Sequence, residues 1–107
     1  MLSSAQKALV LDLVRHRLAE DLSLEELAQA AGASRSHFLR LFKNTFGVMP
    51  HRFVMEQRIG TARQLLQETR LPIAEIAAST GFSSQSHLCT AMRRSLGLTP
   101  GQWRRSA

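Results

Sequence analysis

One unit of sequence occurs twice in this chain, and both copies must fold by the same local rules. Residues 27–50, LAQAAGASRSHFLRLFKNTFGVMP, return at 76–100 as IAASTGFSSQSHLCTAMRRSLGLTP. Ala28, Gly32 and Ser34 recur as Ala77, Gly81 and Ser83 at an offset of 49. Ser36, His37, Lys43, Gly47 and Pro50 recur as Ser86, His87, Arg93, Gly97 and Pro100 at 50, so one residue has been inserted between the two groups. Equivalent positions should then carry equivalent structural roles. Two copies are too few for a solenoid, and 107 residues allow only a modest core, so each copy is expected to be a small module.

Every module reads as helical. Ser3 or Ser4 can cap a first helix reaching to about Ala19, with Leu9, Val10, Leu13, Val14 and Leu18 recurring at helical spacing as one buried face. Ser23 and Glu26 form a capping box for a short second helix, whose apolar face is Leu24, Leu27, Ala28 and Ala31. Gly32 can take the left-handed conformation that ends a helix. Ser34 restarts one with Phe38, Leu41, Phe42 and Phe46 inward and Arg35, Ser36, Leu39, Arg40 and Lys43 outward, and Gly47 stops it. Pro50 suits the first turn of a long fourth helix to about Glu68, where its missing N–H costs nothing. Its apolar residues Phe53, Val54, Met55, Ile59, Ala62, Leu65 and Leu66 exceed one stripe, as expected of a helix joining two modules. Gly60 within it is a close helix contact or simple slack.

Pro72 opens the second copy, with Ile73, Ile76, Ala77 and Thr80 at the positions of Leu24, Leu27, Ala28 and Ala31. The insertion falls within Phe82 to Ser84, which makes Ser84 the expected cap of the sixth helix. Leu88, Ala91, Met92 and Leu96 then face inward and Gln85, Ser86, Cys89, Thr90, Arg93 and Arg94 outward. Thr99 and Pro100 start a terminal helical turn carrying Trp103. The expected organisation is all-α, about seven helices, with a first module over 1–49, a linking helix over 50–70 and a second module over 71–107.

Two helices joined by a tight glycine turn, the second presenting basic and hydrogen-bonding side chains outward, describe a helix-turn-helix. A plain helical hairpin would explain the periodicity but not the outward stripe. Charge agrees with the stronger reading. Residues 1–31 carry three basic and five acidic residues, a balance of −2, whereas from Gly32 onward eleven basic residues face three acidic ones, giving +8. Such a region points to nucleic acid or an anionic surface, against the plainer reading of a solvated face.

Other classes are poorly served. No run approaches the roughly 18 apolar residues of a membrane span, so no membrane partner is expected. No secretory signal is evident at the start, which makes the cytoplasm the expected location. A lone Cys89 forms no internal disulfide and the histidines are too isolated for zinc, so no metal is expected. No carboxylate pair, phosphate loop or nucleophile with its base suggests an enzyme or a cofactor.

The Gly-turned pairs ending in G-x-x-P, the Arg58-Ile59, Ala62 and Leu65-Leu66 helix, and the pattern IA-x3-GF-x3-SH-x8-G-x-TP-x2-W over Ile76 to Trp103 together resemble the AraC/XylS transcription regulators. The resemblance implies a seven-helix unit whose two helix-turn-helix modules bind adjacent major-groove segments of double-stranded DNA, with RNA polymerase as a further partner. Many members of that family join the unit to an effector-binding or dimerisation domain and others consist of little more than the unit itself; the preferred expectation is a C-terminal domain of a longer regulator, with such a domain N-terminal to it. Relatives usually carry aromatics where Leu88 and Met92 stand, so the second core should be less aromatic. Thr90 replaces a reading residue that is basic in some relatives.

Within that frame Arg40 is the leading base reader, because a guanidinium on a groove-bound helix can contact guanine bidentately; a phosphate contact is the alternative. Ser36 and Leu39 flank it, Leu39 suiting a thymine methyl or else a neighbouring helix. Gln85, Ser86, Cys89 and Thr90 form the matching surface of the second copy. Arg35, Lys43, Arg93 and Arg94 are expected at phosphates, as are Arg104 and Arg105. Cys89 is read as a small groove-facing residue rather than a redox sensor, and His37 and His87 as sharing a structural role near each helix start. The competing class is a helical interaction bundle for an acidic protein, which the repeated outward stripe disfavours.

Overall fold

Ser3 starts the first helix, its Oγ accepting from the Gln6 N–H while Gln6 Oε1 accepts from the Ser3 N–H, a capping box that satisfies two terminal donors. The computed structural model describes residues 1–106 and leaves Ala107 outside. It contains α1 (Ser4–His16), α2 (Leu24–Ala30), α3 (Arg35–Phe46), α4 (Pro50–Glu68), α5 (Ile73–Ser79), α6 (Gln85–Leu96) and α7 (Pro100–Ser106). No strand occurs among the described residues, as expected of an all-α chain. The chain divides into two compact units, Met1–Met55 and a second from Glu56 onward, the boundary falling inside α4.

In the first unit Val10 and Val14 of α1, Leu27, Ala28 and Ala31 at α2, and Phe38, Phe42 and Phe53 are buried around one core. The aromatic rings touch in series: Phe42 lies 5.6 Å from Phe38, 4.5 Å from Phe46 and 5.4 Å from Phe53 between centroids, tilted or edge-on as ring quadrupoles prefer. Gln6 also reaches from α1 to donate to the Ala31 carbonyl at 2.8 Å, satisfying one of the acceptors that the end of α2 leaves open.

Two expectations for α1 are corrected. It stops at His16 rather than near Ala19, because Arg17 turns out to pair with Glu20 and Glu26 while its N–H closes the last helical bond to Leu13. Leu9 is exposed, with 54% of its surface in solvent: Val10 and Val14 carry the buried line, and Leu9 sits about 100° round the helix from it.

In the second unit Ile59, Ala62 and Leu66 of α4, Ile76, Ala77, Phe82, Leu88 and Met92 are buried. Leu88 and Met92 take the places of Phe38 and Phe42, both fully enclosed, so this core is aliphatic where the first is aromatic. Thr80, at the position of Ala31, is buried with its hydroxyl donating to the Ile76 carbonyl at 2.7 Å, so its polar atom carries no unsatisfied cost. Thr99 and Gln102 cap α7 reciprocally. Pro50 and Pro100 are each the first residue of their helices. Among the described residues no helix is long and apolar enough to cross a membrane.

Two outcomes follow from this packing. A Cβ added at Gly60 meets nothing within 4 Å, so that glycine is slack rather than a close contact. Gly60→Ala should raise stability by about 1 kcal/mol in thermal melts. The Glu26 carboxyl is held below its ordinary range, first by the Ser23 backbone N–H and then by Arg17 at 3.0 Å. Because the folded pKa is depressed, the contribution is fully present above the ordinary value of about 4.3 and is lost as pH falls through the folded value. Glu26→Gln retains the cap acceptor but should flatten the acid limb of a stability-versus-pH curve measured by urea unfolding.

Candidate nucleic-acid interface

The start of α3 is set by the way α2 ends. Gly32 has φ +67°, and the chain closes on α2 through Gly32 N–H to the Gln29 carbonyl at 3.0 Å and Ala33 N–H to the Ala28 carbonyl at 3.0 Å. These are the two bonds of a Schellman motif, which needs a left-handed residue that glycine adopts without a Cβ clash. Ser34 then caps α3 through the His37 N–H at 3.4 Å. The second copy repeats the arrangement: Gly81 has φ +93°, Gly81 N–H reaches the Ala78 carbonyl at 3.4 Å and Phe82 N–H the Ala77 carbonyl at 2.9 Å. Ser84 caps α6 through the His87 N–H at 3.0 Å, as the sequence predicts.

Matching the turns places the insertion at Ser83. Its N–H donates to His87 Nδ1 at 3.2 Å, its hydroxyl lies at the same distance, and the imidazole stands edge-on to buried Phe82 with centroids 5.1 Å apart. An Nδ1 that accepts from a backbone donor carries no proton, so the neutral ring is protonated at Nε2. The role expected to be common to His37 and His87 is therefore common only in the backbone, where both N–H groups are capped. The His37 side chain is exposed, and only His87 uses its ring to hold the longer turn.

Beyond these starts both helices present the expected rows. On α3, Arg35, Ser36, Arg40 and Lys43 are exposed and Leu39 is half-buried; on α6, Gln85, Ser86, Thr90, Arg93 and Arg94 are exposed and Cys89 is half-buried. Leu39 and Cys89 stand at one repeat position on the margin of each core. Neither helix has an acid in its first turn, so its own side chains leave the positive end of the helix dipole uncompensated there. Asn44 is exposed beside Lys43 and was not singled out by the sequence reading, although an offset of 50 from Arg94 marks it.

Several arginines are engaged within the chain. Arg35 Nη1 meets the Glu25 carboxylate of α2 at 2.9 Å, with both side chains largely in solvent. Arg63 of α4 lies over the Trp103 ring, 4.4 Å from guanidinium carbon to centroid. Arg104, expected at a phosphate, instead donates to the carbonyls of Leu66 at 3.1 Å, Thr69 at 3.4 Å and Leu71 at 2.8 Å. It satisfies the acceptors at and beyond the C-terminus of α4, where a cation also complements the dipole. Arg105 next to it is exposed.

Comparison with known proteins agrees with the repeated architecture. A family model described as a helix-turn-helix domain matches residues 27–106. The probable transcriptional regulator LumQ of Photobacterium leiognathi is 35% identical over 95 residues, covering 89% of this chain and 38% of that protein. A putative AraC-like transcription regulator of Streptomyces antibioticus is 39% identical over 87 residues, covering 81% and 29%. The chain thus spans well under half the length of these relatives. An AraC-type DNA-binding-domain regulator structure from Chromobacterium violaceum superposes with a TM-score of 0.87 at 34% identity, over 94% of this chain and 90% of that one. The DNA-binding domain of the global transcriptional factor AdpA, solved in complex with a target DNA, gives 0.88 at 32% identity, over 97% and 93%.

Separating Arg104 from Arg105 tests the structural assignment. Arg104→Ala should destabilise the protein by about 1.5–3 kcal/mol, since it removes charge-assisted bonds from helix-end carbonyls. Arg105→Ala should change stability by no more than about 0.5 kcal/mol, both read from denaturant unfolding.

Proposed function

Because the chain belongs to the AraC/XylS family of helix-turn-helix transcription regulators, we propose that it binds double-stranded DNA sequence-specifically and regulates bacterial transcription, placing α3 and α6 each in the major groove. The observation that carries this reading is the outward row of α3, in which Ser36, Arg40 and Lys43 project from a helix whose start is fixed by the same turn in both copies. Arg40 reads bases, one turn inside the helix, with Ser36 and Leu39 beside it. On α6, Gln85, Ser86, Cys89 and Thr90 supply the second reading surface. Lys43, Arg93 and Arg94 contact phosphates and give affinity without sequence information. Arg35 belongs to the phosphate group only in competition with Glu25.

The AdpA domain bound to its target DNA supports this use of the fold. A DNA partner places the protein in the cytoplasm, and a promoter-bound regulator has RNA polymerase as its second partner. Effector binding or dimerisation is assigned to a further N-terminal domain outside this chain, in keeping with the greater length of the relatives.

Selection of bound duplexes from random DNA tests the reading, with an asymmetric consensus expected because the two reading rows differ. On the selected site Arg40→Ala should cost about 1–3 kcal/mol and relax preference at one base pair. Lys43→Ala should weaken selected and random DNA by similar factors. Equal loss on both DNAs for Arg40→Ala would remove it from the base readers. Failure of the parent protein to discriminate any sequence would return the interaction-bundle alternative.

A further inference from the structure

The pair between Glu25 and Arg35 joins the first-turn carboxylate of α2 to the first residue of α3, across the turn that the proposed interface is built on. An exposed pair of this kind stabilises a fold little. Its position matters more, because a guanidinium at the start of a groove-facing helix is where a phosphate would be met. The second copy makes the comparison within the same chain: Ala74 and Gln85 stand at the repeat positions of Glu25 and Arg35, so both charges are absent there together. Both positions are exposed in each copy, so burial does not account for the difference.

We propose that Glu25 is the intramolecular counterion of Arg35, a stand-in for phosphate that lowers the salt-dependent, sequence-independent attraction of the first module and leaves discrimination to Arg40. This rests on the DNA-binding reading above. A carboxylate 2.9 Å from the guanidinium cancels most of its field at the distance of a duplex, and a cation already compensated releases few counterions from DNA. Each phosphate neutralised by an uncompensated cation contributes about −0.9 to the slope of log K against log salt.

The test is a double-mutant cycle of Glu25→Gln and Arg35→Gln, titrating random duplex DNA at several salt concentrations, with circular dichroism melts to show that all four proteins fold. Glu25→Gln should tighten random-DNA binding at low salt and steepen the slope by about 0.9, so that a fourfold rise in salt costs it about 3.5-fold more affinity than it costs the parent. In the Arg35→Gln background Glu25→Gln should leave the slope unchanged. An unchanged slope for the single Glu25→Gln variant overturns the proposal. So does a steepening that persists without Arg35, which would be a general effect of one fewer negative charge. A parent protein that binds no DNA overturns the functional reading instead, and a melt outside the parent's range is answered by Glu25→Ala, which removes the same carboxylate.

Discussion

The two Schellman turns are the constraint on which the rest of this protein depends. Each converts the end of one helix into the start of the next across four or five residues, and does so with backbone bonds that leave little freedom of direction. Gly32 and Gly81 supply the left-handed residue; Ala28 and Ala77 supply the carbonyl that accepts the outer bond and, as small buried side chains, let the second helix approach closely. Ser34 and Ser84 then satisfy the opening donors of α3 and α6. With those starts fixed, helical periodicity sets which side chains point towards the core and which point outward.

A shared backbone has accommodated two different sets of side chains. The first unit fills its core with four phenylalanines in contact, whereas the second uses Leu88, Met92 and Leu96 in the places of Phe38, Phe42 and Phe46, keeps an aromatic at Trp103, the counterpart of Phe53, and buries Phe82 at its turn. Hydrophobic groups of suitable volume suffice to specify such a core, since packing tolerates changes of chemistry better than changes of volume. The extra residue Ser83 is accommodated locally, by the His87 ring and Phe82, without disturbing the turn bond that precedes it. Helix ends are tied down differently too: Arg17 brings α1 to the cap of α2, while Arg104 reaches the end of α4 from α7.

Legibility from sequence followed the range of the interactions concerned. Caps and turns lie within a few residues, so Ser23 with Glu26, Gly32, Ser84 as the sixth helix's cap and Pro50 as a first-turn residue could be read directly. The inward and outward faces of α3 and α6 followed from a short period repeated twice. Arg104 was misread because its partners lie 33 to 38 residues away, and nothing in a local run of basic residues separates a helix-end ligand from a solvated cation. The Glu25–Arg35 pair was missed for a related reason, being ten residues apart and meeting only because the intervening turn folds back. Leu9 was placed inward because periodicity gives the direction of a side chain, not whether a neighbour covers it.

Net charge is consequently a poor measure of the cations an interface can use. Of the eleven basic residues from Gly32 onward, Arg35 is compensated by a carboxylate, Arg63 is stacked on an indole and Arg104 is committed to three carbonyls. Arg40, Lys43, Arg93 and Arg94 make no ion pair among the described residues and stand exposed on the two helices with repeated outward rows. An attraction spread over every cation would hold any duplex. Cations on two helices whose starts are fixed by the turns would couple affinity to the placement of each helix, and would leave neighbouring polar groups such as Ser36 and Gln85 to contribute only where the sequence beneath them fits.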